Sequence, residues 1–392
     1  MPKLSQLSSE VGFMTRPCIA IAHDYLTQRG GAERVVLAIH RAFPDAPIYT
    51  TLYDPEGTFP DFADADIRVS ALNRLPLARK HFRVTLPVLA PTASSFTVDA
   101  DLTIASSTGW AHGFRFTGRS LVYCHSPARF LHLSRQYLGD ISPLSPQALA
   151  LGVLRPALLR WDRRAAQRAD RYLANSTIVA ERIRRVYGIE ADVLFPPGGV
   201  DSHAPLVPVP QAERWITHAD SRPFHLVVSR LLPYKKVDVV LEAFSRMPDR
   251  RLLVIGKGPE QERLLRLAPP NAQLVSGLED AQVRWAYAHA RALIAPAYED
   301  FGLTPIEAYA FGTPVLARRG GGYLDTVAEG ESGLFFERST PRDIIDVVKH
   351  EATLSWDRQH IVEHGRHFDE QRFAKSLQSY AASMLATQEN DS

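Results

Sequence analysis

Apolar positions along this chain fall into two alternating kinds of run. Short, continuous apolar stretches occur at HLVVS (225–229), RLLVIG (251–256), AQLVSG, ALIAPA and TPVLARR. Between them lie segments with helical spacing: VDVVLEAFSRM (237–247), EQERLLRLA (260–268), DAQVRWAYAHA (280–290) and TPIEAYAFG. Strands that alternate with helices predict parallel pairing, because parallel neighbours need a crossover. Continuous apolar strands fit a sheet covered on both faces. The pattern predicts a doubly wound, Rossmann-like α/β domain over 220–368. The first half repeats the grammar less regularly. CIAIAH (18–23) reads as a strand and GAERVVLAIHRAF (31–43) as an amphipathic helix. PIYTTLY, DLTIASS (101–107), SLVYCHS (120–126) and RYLANS (171–176) read as strands, and TIVAERIRRVY (177–187) as a helix. This gives a second Rossmann-like domain over 17–205. The proline-rich APLVPVPQ (204–211) continues neither kind of element and is the expected linker. The tail from Asp369 to Ala386 has helical spacing and is expected to pack back on the first domain. No repeat of solenoid period occurs.

At 392 residues the chain is long enough for two cores. Its 45% hydrophobic and 22% charged residues are ordinary for a globular protein. A net charge of +2 without a Lys/Arg-rich block gives no reason to expect a nucleic-acid partner. The two cysteines, Cys18 and Cys124, lie in runs that read as buried strands. They exclude a disulfide framework and fit a reducing compartment. No stretch reaches the roughly 18 apolar residues that would span a bilayer. The opening MPKLSQLSSEVGFMTRP lacks the apolar core of a signal peptide and reads as a poorly ordered extension. A cytoplasmic protein is expected, with a peripheral place on the inner face of the membrane still open to it.

Open α/β sheets bind ligands beyond the carboxyl ends of their strands. After HLVVS come Arg230, Lys235 and Lys236; after RLLVIG, Gly256-Lys257-Gly258-Pro259; after ALIAPA, Tyr298-Glu299-Asp300-Phe301-Gly302; after TPVLARR, Gly320-Gly321-Gly322. Cations, glycine turns and a carboxylate loop therefore share one rim. Arg230 offers a planar fork and Lys235 a compact charge, both suited to a diphosphate, although charges in loops are commonly just solvated. Gly256 and Gly258 permit close backbone approach to a ligand, or simply a tight strand-to-helix turn. In Thr304-Pro305-Ile306-Glu307, Thr304 reads as an N-cap, Pro305 as the first helical residue and Glu307 as the partner in a capping box. The same helix start would present the amides of Gly302, Leu303 and Thr304 to an anion. Glu299 lies too early to cap that helix and suits sugar hydroxyls. In the first half, Gly30-Gly31 opens a helix after the first strand. His125 ends an apolar strand, before Ser126, and could bond a sugar or phosphate or serve a structural role.

Several chemistries lack their signatures. There is no G-x-G-x-x-G after the first strand, no G-x-x-x-x-G-K-[ST], no HExxH or paired C-x-x-C, and no G-x-S-x-G. A dehydrogenase, a P-loop ATPase, a metal site and a Ser126 hydrolase are all poorly supported.

The stretch EDFGLTPIE, Glu299 to Glu307, resembles the E-x7-E signature of retaining GT-B glycosyltransferases of family GT4. Around it, SRLLPYKK, IGKGP, EAYAFGTPVLA and Gly320-Gly321-Gly322 follow in that family's order. HDYLTQRGGAER and YCHSPARF are similar to members that build bacterial O-antigens and exopolysaccharides, especially α-mannosyltransferases. The resemblance covers most of residues 18–335. It implies a GT-B fold, two Rossmann-like domains facing a cleft, and transfer of a hexose from a nucleotide-sugar to a glycan or polyprenyl-diphosphate-linked acceptor. Mannose from GDP-mannose is the expected donor. By the same resemblance, Arg230 and Lys235 hold the diphosphate, Glu299 the hexose and Glu307 the ribose. Gly256, Gly258, Pro259, Phe301, Gly302, Leu303 and Thr304 line the donor, Gly30 and Gly31 close over its diphosphate, and His125 lies by the transferred sugar. The family has glycine where this chain has Lys236.

The resemblance further implies retention of configuration with no cofactor and no metal. Cations and helix amides would then stabilise the leaving diphosphate, with front-face attack by the acceptor and closure of the domains over the site. A lipid-linked acceptor would suit two basic stretches, NRLPLARKHFRVTLPVL (73–89) and Arg155 to Arg171, which could rest on an anionic membrane or face the core as ordinary amphipathic helices. Trp110 is a candidate for the acceptor side. The alternatives are an epimerase or phosphorylase on the same fold, an inactive nucleotide-sugar-binding module, or an NAD-dependent oxidoreductase.

Overall fold

The computed structural model describes residues 17–80, 86–133, 146–217 and 224–391. Among them, two parallel sheets carry the architecture. The first is seven-stranded: β1 (Ile19–His23), β2 (Ile48–Thr50), β3 (Ile67–Val69), β4 (Leu102–Ser107), β5 (Arg119–Cys124), β6 (Arg171–Ala174) and β7 (Asp192–Val193), in the order β3-β2-β1-β4-β5-β6-β7. The second is six-stranded: β8 (Phe224–Val228), β9 (Arg251–Ile255), β10 (Ala272–Val275), β11 (Ala292–Ala295), β12 (Val315–Arg318) and β13 (Gly333–Phe336), in the order β10-β9-β8-β11-β12-β13. Both orders reverse direction beside the first strand, which opens a crevice at the carboxyl ends. The expected fold class, α/β with two Rossmann-like domains, is what the chain adopts. Three strands, β3, β7 and β13, go beyond those read from the sequence, and β7 is a two-residue exposed edge strand. β3 is half-exposed at an edge, and β13 is the edge strand beyond β12.

Each sheet buries both faces of its central strands, which is why those strands are continuously apolar. In β1, Ile21 joins Ile104 and Leu121 in one core, while Ala20 and Ala22 join Ala105 and Val122 in another. In β8, Phe224 and Leu226 face one core and Val227 the other. Cys124 is buried as expected, but Cys18 is exposed. It precedes β1, and its amide bonds Asp101 Oδ2 at 2.7 Å, so it sits on the rim of the sheet.

The helices have local causes. Helix α1 (Gly31–Ala42) buries Val35, Val36 and Ile39 against the first sheet. Helix α2 (Arg129–His132) is one short turn, and α3 (Pro146–Ala166) follows it. Helix α4 (Thr177–Tyr187) starts where Ser176 Oγ accepts from the Val179 amide at 3.3 Å and stops at left-handed Gly188, φ 71°, the usual N-cap and C′ solutions. The proline-rich segment expected to link the domains ends by starting a helix, Pro210–Thr217, whose Ala212 and Trp215 join the second core. Helix α5 (Val237–Ser245) covers one face of the second sheet, and α6 (Leu303–Tyr309) follows β11. The terminal helix α7 (Glu370–Asp391) crosses back to the first domain. Its Phe373, Leu377, Ala381 and Met384 share a core with α1, β4 and β5.

Where the chain crosses between domains, Phe195 stacks on Phe301 with centroids 5.8 Å apart and also touches Phe368. With Ile306 and Leu303 these rings form an apolar cluster between the sheets. The carboxyl ends of the two sheets face each other across it. The expected extension at the N-terminus lies outside the described residues.

Candidate functional site

Helix α6 stands at the centre of the cleft. Its N-cap is Gly302, held at φ 88°, and no side chain caps it. The capping box expected of Thr304 and Glu307 does not form. A left-handed residue so close to the Tyr323 ring, with an added Cβ 2.4 Å from it, leaves room only for glycine. Glu307 is thereby free for other partners. Tyr287 donates its hydroxyl to Oε2 at 2.7 Å, and Arg34 of α1 donates to Oε1 at 3.2 Å from the opposite domain. The glutamate is buried in this double grip. Gly31 lies against Leu303 across the cleft, so the starts of α1 and α6 meet. Gly30 precedes α1 as its extended N-cap. Phe301 is in the interdomain cluster rather than open to the cleft.

Glu299, eight residues before Glu307, makes a short ion pair with Lys235, and both side chains are largely buried. Lys235 ends a single 3-10 turn, Pro233–Lys235, and Arg230 is exposed just before it. Gly256 and Gly258 serve this loop. A Cβ on either would lie within 2.3 Å of the Ser229 or Leu231 carbonyl oxygen, so the glycines let the Arg230 loop pass close over the turn. Pro259 is exposed beside them. Lys236 is the one non-glycine residue with positive φ, 56°, among the described residues, and it is exposed. A glycine fits that backbone without strain, which accounts for the family's preference. Here the second cation points to solvent.

On the facing wall, His125 Nε2 and Ser106 Oγ are 2.8 Å apart, and His23 Nδ1 lies 2.9 Å from the Ser106 carbonyl oxygen. Burial, with the positive fields of His23 and Arg129 added, pushes the His125 pKa down to about 3. The ring is neutral at physiological pH. It can donate or accept one hydrogen bond, but it carries no positive charge for a phosphate. Ser126 Oγ accepts from Arg182 at 2.7 Å and is buried, which leaves it no role as a nucleophile. Trp110, expected on the acceptor side, is buried and stacks on Phe130 at 5.2 Å. Asp24 receives the amides of Thr108, Trp110 and Ala111, which fixes that loop.

The fold also gathers Arg34, Arg129, Arg182, Asp300 and Tyr287 here, none of which the sequence motifs mark as site residues. Asp300 Oδ1 accepts from Arg182 at 2.7 Å and Oδ2 from Arg129 at 2.5 Å. Burial would raise its pKa, but the two guanidinium groups outweigh burial and lower it. Arg34 and Arg129 stand inside motifs that were noticed for their glycines and histidine. Arg182 looks like one more charge on an amphipathic helix. Among the described residues, no group of three or more His, Cys, Asp or Glu side chains could hold a metal ion.

Comparison with known proteins gives two matching family models, Glycosyltransferase Family 4 over residues 29–204 and Glycosyl transferases group 1 over 211–368. The chain is 32% identical over 200 residues to a GDP-mannose-dependent alpha-mannosyltransferase of Mycolicibacterium smegmatis, covering 49% of this chain and 50% of that protein. It is 36% identical over 126 residues to a glycogen synthase of Thermus thermophilus, covering 30% and 29%. The chain thus spans half or less of the length of these curated relatives. Among solved structures, a sucrose-phosphate synthase from Thermosynechococcus elongatus superposes with TM-score 0.70 at 20% identity, covering 95% of this chain and all of that one. The Anabaena protein HepE, solved with UDP-glucose, does so with TM-score 0.66 at 17% identity, covering 93% and 99%.

Proposed function

The chain belongs to the GT4 glycosyltransferases of GT-B fold, and on that footing we propose that it transfers a hexose, mannose from GDP-mannose, with retention of configuration to a glycan or polyprenyl-diphosphate-linked acceptor in cell-surface polysaccharide synthesis. The carrying observation is the Glu299–Glu307 loop, whose two carboxylates meet Lys235 and Arg34 in the cleft. Glu299 accepts hexose hydroxyls and Glu307 accepts the ribose. Arg230 and Lys235 hold the diphosphate, and Lys235 must turn from Glu299 toward it as charge develops on the leaving group. Such preorganised cations do the work that a metal does elsewhere, so the reaction needs no metal or other cofactor. His125 is neutral and serves as a hydrogen-bond partner of the transferred sugar or acceptor. The choice of mannose is supported by the similarity to a GDP-mannose-dependent enzyme over about half of the chain.

The protein works in the cytoplasm against the inner face of the membrane. Leu72, Leu89 and Leu158 join their three elements in one core. Outside that core, Leu75, Leu77, Val88 and Val153 are exposed, and so are Arg74 and Arg160. Arg83, part of the same expected basic stretch, lies outside the described residues.

The deciding experiment is calorimetric titration of GDP, UDP and ADP in the presence of EDTA, with the wild type and Arg230→Ala. One nucleotide should bind well to the wild type and more weakly to the variant. Absence of binding by all three would end the donor-site assignment and favour an inactive module.

A further inference from the structure

We infer that Asp300 is a positioning residue for Glu299, and that Arg129 and Arg182 of the first domain make the placement of the donor-sugar carboxylate conditional on domain closure. The inference rests on the donor role proposed for Glu299.

The two residues share a peptide unit, so whatever fixes one restrains the other. The second domain holds the Glu299 side, where the Glu299 carbonyl oxygen accepts from the Gly322 amide at 3.0 Å. The first domain holds the Asp300 side. Ser176 Oγ donates to the Asp300 carbonyl oxygen at 2.5 Å, Arg182 Nη1 donates to Oδ1 at 2.7 Å, and Arg129 donates to Oδ2 at 2.5 Å. A further bond runs alongside, from the Thr177 amide to Asp325 Oδ2 at 2.9 Å. Ser176 also caps α4, the helix that carries Arg182, so the grip comes from a rigid element.

The charges show why this contact works as a condition rather than as ordinary packing. The side chains of Arg182 and Asp300 are only 4% and 6% exposed. Among the described residues, Asp300 is the carboxylate that pairs with Arg182, and Arg182 Nε is buried without a hydrogen-bond partner. A guanidinium does not lose its proton in a protein. A closed cleft lacking the Asp300 charge would therefore bury an unpaired cation, which is strongly disfavoured. An open cleft would let water reach both groups. The pair thus favours closure, and closure fixes the peptide that bears Glu299. Arg129 is 32% exposed, and its charge also acts on Glu299. It stands where closure and donor contact meet.

The test uses the full chain with Asp300→Asn, Arg129→Gln, the double variant and Asp300→Glu, with Glu299→Gln as a separate reference. Small-angle scattering without ligand should give a larger radius of gyration for Asp300→Asn than for the wild type. Calorimetry with GDP and GDP-mannose should leave GDP affinity unchanged and weaken GDP-mannose. Transfer from GDP-mannose should fall about tenfold or more in kcat. The double variant should be no worse than Asp300→Asn, since all three report one coupled network, and Asp300→Glu should recover part of the loss. Folded Asp300→Asn and Arg129→Gln proteins that scatter like the wild type would overturn the inference, as would opening without any effect on GDP-mannose relative to GDP. Should Asp300→Asn fail to fold, Arg129→Gln, at a half-exposed site, decides alone by the same readings. If Glu299→Gln leaves transfer intact, the donor role of Glu299 fails instead, while the scattering result still reports on closure.

Discussion

At the scale of single residues, the cleft holds carboxylates and cations in matched contacts. Lys235 with Glu299 and Arg34 with Glu307 each neutralise a charge that would be costly to bury alone. On the role proposed for it, Lys235 is a cation that meets the charge growing on the leaving diphosphate. Loss of one such donor costs roughly 10²–10³ in kcat, so Lys235→Ala should lose turnover to that extent, while the protein still folds with a melting temperature lowered because Glu299 has lost its partner. Single-turnover kinetics beside differential scanning fluorimetry would check this, and a folded variant with undiminished turnover would remove Lys235 from the reaction. The proposed site residues Glu299, Glu307, Lys235 and Arg230 all stand in or beside compact motifs. Asp300 was passed over within the same motif. Its role depends on Arg182, 118 positions earlier, and no local spacing encodes such a pairing.

At the scale of elements, the short helix α2 carries Arg129 and needs an anchor, since a single turn is not stable alone. Asp162 of α3 provides it. Its Oδ2 lies 2.8 Å from His132 Nε2, at the end of α2, its Oδ1 lies 3.2 Å from His112 Nε2, and Tyr187 donates to it at 3.1 Å. Burial alone would raise the Asp162 pKa, but His112 and His132 beside it outweigh burial and lower the value to about 2. A depressed carboxylate pKa contributes stability that is present above its unfolded value of 3.8 and lost as pH falls toward 2. Asp162→Asn should therefore lower the urea midpoint at pH 7, by an amount corresponding to roughly 1.5–3 kcal/mol for hydrogen bonds to a charged group. The gap from the wild type should narrow between pH 3.8 and 2. Equal midpoints at pH 7 would rule out the anchor. Most strands and several helices were legible from their periodicity, whereas the short edge strands β3 and β7 and the long helix α3 were not. The N-cap of α6 was not, because Thr304 fits a capping pattern as well as Gly302 fits the geometry, and only the Tyr323 ring decides between them.

At the scale of the molecule, the domains meet through an apolar cluster, the paired charges around Asp300, and α7 returning to the first sheet. No helix among the described residues is long and apolar enough to cross a membrane. The first domain nonetheless shows exposed Leu77, at 65%, and Val153, at 80%. Arginines together with exposed apolar side chains suit an anionic bilayer, each basic group contributing about 1 kcal/mol near the surface. Co-flotation with vesicles containing phosphatidylglycerol should be seen at low salt and should weaken as salt rises. No flotation at low salt would remove the proposed membrane contact.

The sequence by itself determined the two doubly wound domains, because hydrophobic periodicity is a local property and parallel strands admit few arrangements. It also carried the family motifs, since a helix start and a strand end place neighbouring residues on one rim. Only the tertiary structure decided which charges meet. It buried Trp110, exposed Cys18, and set Arg34 on Glu307 and two arginines on Asp300. Pairings across a cleft depend on how two separate cores dock, and the distance that sets a Coulomb energy is fixed only when they do.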